Sequence, residues 1–275
     1  MKVYRPTSPG RRGMTAVDFS VLAKKKPEKR LTFGHKRSGG RNFQGRITSR
    51  FRGGGAKRML RQVDFGQEKR GVPGAVRAIE YDPNRTAFIA LVSFKDGDWR
   101  YILSPDGLKE GDPILIDEQA PIRAGSRMML KHIPTGTPVH NIALAPEGRG
   151  KLVRSAGTAA VVLSHEGRYT QCTMPSREVR LFLAHVFASV GTVSNAEWIS
   201  TTTGKAGRSR LKGRRPHVRG SAMNPVDHPH GGGEGRSPIG LKYPKTPWGK
   251  HALGVKTRKR HKHSNSLILQ RRTKR

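Results

Sequence analysis

Between residues 75 and 116, apolar and polar positions alternate in short runs separated by turn residues. Ala75-Val-Arg-Ala-Ile-Glu-Tyr81 alternates, Asp82-Pro-Asn-Arg85 has turn chemistry, and Thr86-Ala-Phe-Ile-Ala-Leu-Val-Ser-Phe94 is a longer apolar strand. Lys95-Asp-Gly-Asp98 signals a hairpin into Trp99-Arg-Tyr-Ile-Leu103, and Ser104-Pro-Asp-Gly107 turns again before Pro113-Ile-Leu-Ile116. Four short strands at this spacing predict a small barrel. A second set follows: Thr137–Leu144 as one strand, Gly157–Ser164, a turn at His165-Glu-Gly-Arg168, Tyr169–Thr173, Val179–Phe182, and Ala196–Ile199 after Thr192–Asn195. This set predicts a second small barrel, with Leu181–Val190 as an optional short helix. Phe65, Tyr81, Phe88, Phe94, Trp99, Tyr101, Tyr169, Phe182, Phe187 and Trp198 all fall in this middle region.

Outside it the apolar pattern lapses, and charge explains why. The 275 residues carry 54 Lys+Arg against 19 Asp+Glu, a net charge of +35. Residues 63–200 contain 16 basic and 15 acidic residues, whereas residues 1–62 contain 18 and 2, and residues 201–275 contain 20 and 2. A nearly neutral middle is thus flanked by two intensely basic arms rich in Gly, Pro, Ser and Thr. Such arms bury too little apolar surface to offset their ordering entropy, so they are expected to be extended or irregular until a polyanion neutralises them. Hydrophobic content of 34%, against ~45–50% for globular domains, excludes one large core across the whole chain. The single Cys172 excludes an intrachain disulfide framework and a Cys-based zinc site, and points to a reducing compartment. No targeting segment is expected from Met1–Gly10, and the richest apolar stretch is about half a membrane span. The expected organisation is a basic extension over 1–62, barrels over 63–125 and 126–200, and a basic extension over 201–275.

The arms carry the candidate chemistry. Gly39-Gly-Arg-Asn-Phe-Gln-Gly-Arg-Ile-Thr48 and Arg50-Phe-Arg-Gly-Gly-Gly-Ala-Lys-Arg58 mix glycine, arginine and aromatic residues. Glycine permits close backbone approach, arginine forks onto phosphates and stacks on bases, and Phe43 and Phe51 are of a type that stacks on exposed bases. A solvated basic tail is the competing reading; the regular mixing favours RNA contact. No nucleotide-binding glycine fingerprint follows a strand and opens a helix.

In Arg219–Arg236, Asp227, His228 and His230 lie together with Glu234 nearby. As a metal site, this loop has Pro229 and glycines but no scaffold. As a catalytic dyad, Asp227 would orient His228, yet no nucleophile is suggested and the flanks are too basic for a dry pocket. As a reader of RNA shape, small residues fit between backbones while His228 and His230 bond or stack, and this reading is preferred. The runs Lys256–His263 and Arg271–Arg275 resemble a nuclear localisation signal but arise equally in any RNA-binding tail, the preferred reading. The acid pairs Asp96/Asp98 and Asp117/Glu118 are expected to be solvated. An RNA- or tRNA-processing enzyme and a free DNA-binding architectural protein are the alternatives.

Several motifs together carry a resemblance. They are Gly39-Gly-Arg-Asn42 with Gly45-Arg-Ile-Thr48, Gly53-Gly-Gly55 with Lys57-Arg58, Asp64-Phe65, Ile79–Asn84, Val139–Ile142, Ser155–Thr158 and Asn224-Pro-Val-Asp-His-Pro-His-Gly-Gly-Gly-Glu-Gly-Arg236. In order, across essentially the whole chain, they resemble the large-subunit ribosomal protein "L-two" family in its bacterial form. The resemblance implies a mainly β fold: an oligonucleotide-binding-type barrel, then an SH3-like barrel, with long basic irregular extensions threading into rRNA. It implies a primary rRNA binder, a structural constituent of the large subunit rather than an enzyme, which supports assembly, subunit association, tRNA binding and the peptidyl transferase region. Implied partners are large-subunit rRNA, small-subunit rRNA at the subunit interface, neighbouring ribosomal proteins and, indirectly, the tRNA region, with no membrane. The family's functionally sensitive histidine matches His228, while peptidyl transfer is expected to be catalysed by RNA. The residues assigned to rRNA are Arg41, Asn42, Arg46, Arg50, Arg52, Lys57, Arg58, Arg214, Arg215, Arg219, Asn224, Asp227, His228, His230, Arg236, Lys256, Arg258, Lys259 and Arg260. No cofactor is expected, beyond Mg²⁺ as a bridge to rRNA. The ribosome is expected to be cytoplasmic, though the residues do not separate it from an organellar one. One departure is Ala56, where the family usually has His.

Overall fold

The computed structural model describes residues 1–272, so the last three residues of the Arg271–Arg275 run lie outside the described residues. Contacts divide the chain into two units: residues 1–36, 57–208 and 264 onward form one, and residues 37–56 with 209–263 form the other.

The strands of the first unit are β1 (Lys2–Val3), β2 (Thr15–Ala16), β3 (Thr32–Gly34), β4 (Met59–Arg61), β5 (Gly74–Glu80), β6 (Ile89–Phe94), β7 (Trp99–Leu103) and β8 (Pro113–Ile114). They continue with β9 (Arg127–Met129), β10 (Pro138–His140), β11 (Ile142–Ala143), β12 (Gly150–Leu152), β13 (Ala160–Glu166), β14 (Tyr169–Thr173), β15 (Val179–Leu183), β16 (Phe187–Val190) and β17 (Ile268–Gln270). A four-stranded antiparallel sheet runs β7-β6-β5-β8, and a seven-stranded sheet runs β17-β15-β14-β13-β10-β16-β9. The pairs β1-β2, β3-β4 and β11-β12 stand outside them.

β6 shows how the first sheet holds its shape. It is the centre of three consecutive antiparallel strands, and its alternate residues serve two cores. Ala90, Val92 and Phe94 pack with Val76, Ile102 and Ile114, while Ile89 and Leu91 pack with Ala78 and Tyr101. A strand buried on both faces reads as a continuous apolar run, as this one does. The second sheet encloses a separate core that includes Met128, Leu130, Val139, Val162, Phe182 and Val190. Several modest cores replace the single large one that the composition excluded.

Part of the N-terminal region docks on the first sheet. The backbone N–H of Glu28 donates to the Tyr101 hydroxyl at 2.8 Å, and that hydroxyl donates to Glu80 Oε2 at 2.7 Å. Burial and the neighbouring Glu80 raise the Tyr101 pKa. Lys25 faces Glu80 at 3.3 Å, supplying a counter-charge to this buried carboxylate.

Four local expectations are corrected. Leu181–Val190 is not a helix: β15 ends at Leu183, a turn follows, and β16 begins at Phe187. β16 pairs with both β9 and β10, so interstrand hydrogen bonds outweigh the weak helical pattern. Thr137–Leu144 is not one strand, because Asn141 adopts a left-handed φ of 50° between β10 and β11. Its carbonyl accepts a 2.8 Å bond from the buried Arg127 Nη1, and its side-chain amide reaches the Phe65 carbonyl at 3.3 Å. Ala196–Ser200 forms 3₁₀ turns rather than a strand, entered through Asn195 at φ 66°. The strand expected from Thr86 begins only at Ile89. Asp96 and Asp98 are exposed, as expected, and both face Lys69, whose hydrogen bonds lower their carboxyl pKa values.

Candidate nucleic-acid interface

The second unit contains 19 Lys+Arg and 2 Asp+Glu within residues 37–56 and 209–263. None of the buried apolar side chains among the described residues belongs to it. Backbone hydrogen bonds and close glycine contacts therefore hold it together in place of a hydrophobic core.

Four features build the unit. First, Gly40–Ser49 forms a tight loop. Arg41 bridges Ile47, Asn42 N–H donates to the Arg46 carbonyl at 3.0 Å, and Asn42 Oδ1 accepts from the N–H groups of Gln44 and Arg46, both at 3.0 Å. This is Asx-turn chemistry, in which a side-chain carbonyl satisfies amides that the bent backbone leaves unpaired. Asn42 is thus a loop-former, and the loop presents exposed Arg41, Arg46 and Phe43, the last 94% accessible. Gly40 is required here: at φ 80°, an added Cβ would lie 2.1 Å from the Ser49 carbonyl oxygen.

Second, residues 51–56 run beside 211–215. Arg52 bridges Arg214, Gly53 N–H donates to Gly213 O at 3.1 Å, and Arg215 N–H donates to Phe51 O at 3.0 Å. Arg50, Arg52, Arg214 and Arg215 are exposed along this ladder. Ala56, the departure from the family pattern, donates its N–H to the Leu211 carbonyl at 3.0 Å, a backbone contact that any residue but proline would make.

Third, the histidine loop closes on itself. Asp227 and His228 both donate their N–H to the Asn224 carbonyl, at 3.0 and 3.3 Å. Gly231 N–H donates to His228 O at 2.8 Å, and Gly232 N–H to Met223 O at 3.0 Å. The side chains then fix two tautomers. His230 N–H donates to His228 Nδ1 at 3.0 Å, and Lys245 N–H donates to His230 Nε2 at 2.8 Å. Each acceptor nitrogen must be unprotonated, so both rings are neutral in this arrangement. Burial, reinforced by the neighbouring His230 and Arg50, holds the His228 pKa below the usual imidazole value. Asp227 makes no side-chain hydrogen bond to His228 among the described residues, and its carboxylate is exposed. The dyad reading loses its orienting contact. Among the described residues, no group of three or more His, Cys, Asp or Glu is placed to hold a metal ion.

Fourth, a hairpin over 245–251 carries the turn Thr246-Pro-Trp-Gly249. Lys245 bridges His251, Thr246 N–H donates to Lys250 O at 2.7 Å, and Gly249 N–H closes onto Thr246 O at 2.9 Å. Tyr243 and His251 pack ring on ring at 3.9 Å at its base.

Seventeen of the nineteen assigned residues fall in this unit; Lys57 and Arg58 fall in the other. Arg58 spends one guanidinium nitrogen on the Pro83 carbonyl at 2.9 Å, a structural bond within the first unit. Arg219, Arg236, Lys256, Arg258, Lys259 and Arg260 are exposed, as is Asn224. His217, Tyr243, Lys245, Trp248 and His251 belong to the same fabric without having been assigned. The Pro-Trp-Gly turn is the signal that would have marked Trp248.

Two family models match the chain: "Ribosomal Proteins L2, RNA binding N-terminal domain" over residues 28–116 and "Ribosomal Proteins L2, C-terminal domain" over residues 123–249. The chain belongs to the ribosomal protein L2 family. The two matches are consecutive and fit an oligonucleotide-binding-type barrel followed by an SH3-like one, which agrees with the two sheets and their separate cores. Membership makes this an RNA-binding ribosomal protein of the large subunit, part of the ribonucleoprotein that carries out translation. The C-terminal match takes in the histidine loop and extends to Gly249, so it includes the hairpin turn. Among the described residues, no helix is long and apolar enough to cross a membrane.

Proposed function

We propose that this L2 chain is a primary rRNA-binding protein that supports large-subunit assembly, subunit association, tRNA binding and the peptidyl transferase region, acting as a scaffold. One observation carries the reading: 17 of the assigned residues share a unit with nine times more basic than acidic side chains and no buried apolar residue of its own. Such a unit is shaped to displace counterions from phosphates while its glycines admit another backbone at close range. Its partners are large-subunit rRNA first, then small-subunit rRNA and neighbouring ribosomal proteins within a cytoplasmic ribosome. Mg²⁺ enters only as a bridge to phosphate. His228 serves shape: its Nδ1 is already committed to the His230 amide, which removes it as a ready general base.

The test is the salt dependence of binding to protein-free large-subunit rRNA. A protein making ~6–10 phosphate contacts loses ~10³–10⁵ in affinity between 50 and 200 mM salt. The full chain is expected to fall in that range, and a flat salt dependence overturns the proposal. His228→Ala in assembled particles is expected to disturb assembly or tRNA binding with the chemistry intact. A selective collapse of peptidyl transfer in normally assembled particles would favour a catalytic role instead.

A further inference from the structure

We infer that Trp248 is a stacking platform for one unpaired RNA base, with Arg50 as its backing. This deepens the RNA-binding reading and rests on it. Trp248 is 77% accessible, an unusual state for a residue type that is highly buried on average. It is not a loose side chain. Pro247 and Trp248 occupy the two central positions of the Thr246–Gly249 turn, Gly249 takes φ 75° after it, and the Lys245–His251 bridge pins the hairpin below. The Lys245 amide is also held by His230 Nε2, so the histidine loop steadies the hairpin that presents the indole.

One side of the indole is already served. The Arg50 guanidinium lies 5.7 Å from the Trp248 ring and 5.2 Å from the Phe51 ring, and Phe51 lies 4.2 Å from His217. The four side chains form a continuous series of contacts, Trp248–Arg50–Phe51–His217, in which one cation touches two aromatic rings. Phe51 holds its place at φ 61°, a left-handed conformation disfavoured for a bulky residue, in which the Arg215 amide and the Arg52–Arg214 bridge lock it. Backbone strain at an aromatic residue is tolerated where the surroundings over-determine it, and here they aim a ring at Arg50.

The exposed part of the indole has the chemistry of a base-stacking surface: a rigid π face, electron-rich, in a strongly positive field. Single-stranded and looped RNA is gripped by stacking splayed-out bases on aromatic and guanidinium planes, while a protein partner would meet a unit of 19 cations against 2 acids. The ligand is therefore an unpaired nucleobase, with its flanking phosphates on Arg50 and the neighbouring arginines.

The test uses full-length protein and protein-free large-subunit rRNA. Stacking is worth ~1–3 kcal/mol per base, so Trp248→Ala is expected to weaken binding ~5- to 150-fold with the salt slope unchanged. Trp248→Phe should retain most of the affinity and Trp248→Leu should behave like alanine. In a Trp99→Phe/Trp198→Phe background, RNA is expected to quench the Trp248 fluorescence. Affinity within twofold of wild type for Trp248→Ala, full retention by Trp248→Leu, or no quenching each overturns the stacking assignment. If the unsubstituted chain itself binds rRNA without salt dependence, the failure belongs to the RNA-binding reading rather than to Trp248. Because the indole is exposed, the main thermal transition should not move; a shift in Trp248→Ala would reassign it as a structural residue.

Discussion

Replacing Gly231 by alanine probes whether the histidine loop is a rigid shape or merely a polar connection. A Cβ added at Gly231 would lie 2.2 Å from the Asn224 carbonyl oxygen, 2.4 Å from its carbon and 2.8 Å from the Met223 carbonyl oxygen. All three are backbone atoms, so no side-chain rotation relieves the clash. The Asn224 carbonyl also accepts from Asp227 and His228, and the Met223 carbonyl from Gly232. Relief must stretch or break at least one of these bonds, each worth ~0.5–1.5 kcal/mol. Overpacking costs ~1–3 kcal/mol. If rRNA requires the undistorted loop, that range becomes a ~5- to 150-fold loss of affinity in filter binding at fixed salt. The main unfolding transition, which reports the β cores, should not change, and neither should the salt slope. Gly207→Ala is the matched control, since nothing lies within 4 Å of the added Cβ and Gly207 sits in the helix Ala206–Leu211. There alanine should be neutral or stabilising by up to ~1 kcal/mol. Unchanged affinity in Gly231→Ala would refute the rigid-loop argument, and equal losses in both variants would show that the effect is not local.

Two further predictions concern the β body. His140 is fully buried, bonds Gly191 O through Nδ1 at 2.8 Å, and has its pKa pushed down to about 4 by burial. The unfolded chain therefore binds the proton more tightly, and stability should fall as pH drops from ~6.5 to about 4 and then level off, by roughly 3 kcal/mol for this group alone. Urea titrations at pH 4.5 and 7 check this, and stability that is flat across the interval counts against it. Cys172 is buried with its thiol pushed up to about 12, so a thiol reagent at pH 8 should label it only at the rate of unfolding. Rapid labelling of the native protein would contradict the burial.

Much of the body was legible because strand burial writes itself into the sequence, with period two where one face is buried and as a continuous apolar run where both are. Ile89–Phe94 and Tyr169–Thr173 could be read from their own residues and bounding turns. Leu181–Val190 could not, because its apolar run fits a helix or two strands equally until β9, β10 and β14 offer partners. Asn141 likewise gives no local sign of its left-handed turn, which depends on Arg127 arriving from fourteen residues away.

The sequence by itself determined the polyanion partner, the mainly β class and the residues that carry charge, because composition, period and turn chemistry are local properties, and its motifs carried the resemblance that the family matches bore out. Only the tertiary structure decided how the basic residues are grouped. It drew residues 37–56 out of the N-terminal extension to share a unit with 209–263, and left Lys57 and Arg58 with the β body. It also turned His228 from a candidate base into a bonded element of a loop and brought Arg50 to Trp248, nearly two hundred residues along the chain. Hydrogen bonds and ring contacts between distant segments have no signature in either segment alone, and a unit without an apolar core offers no hydrophobic periodicity from which to infer them.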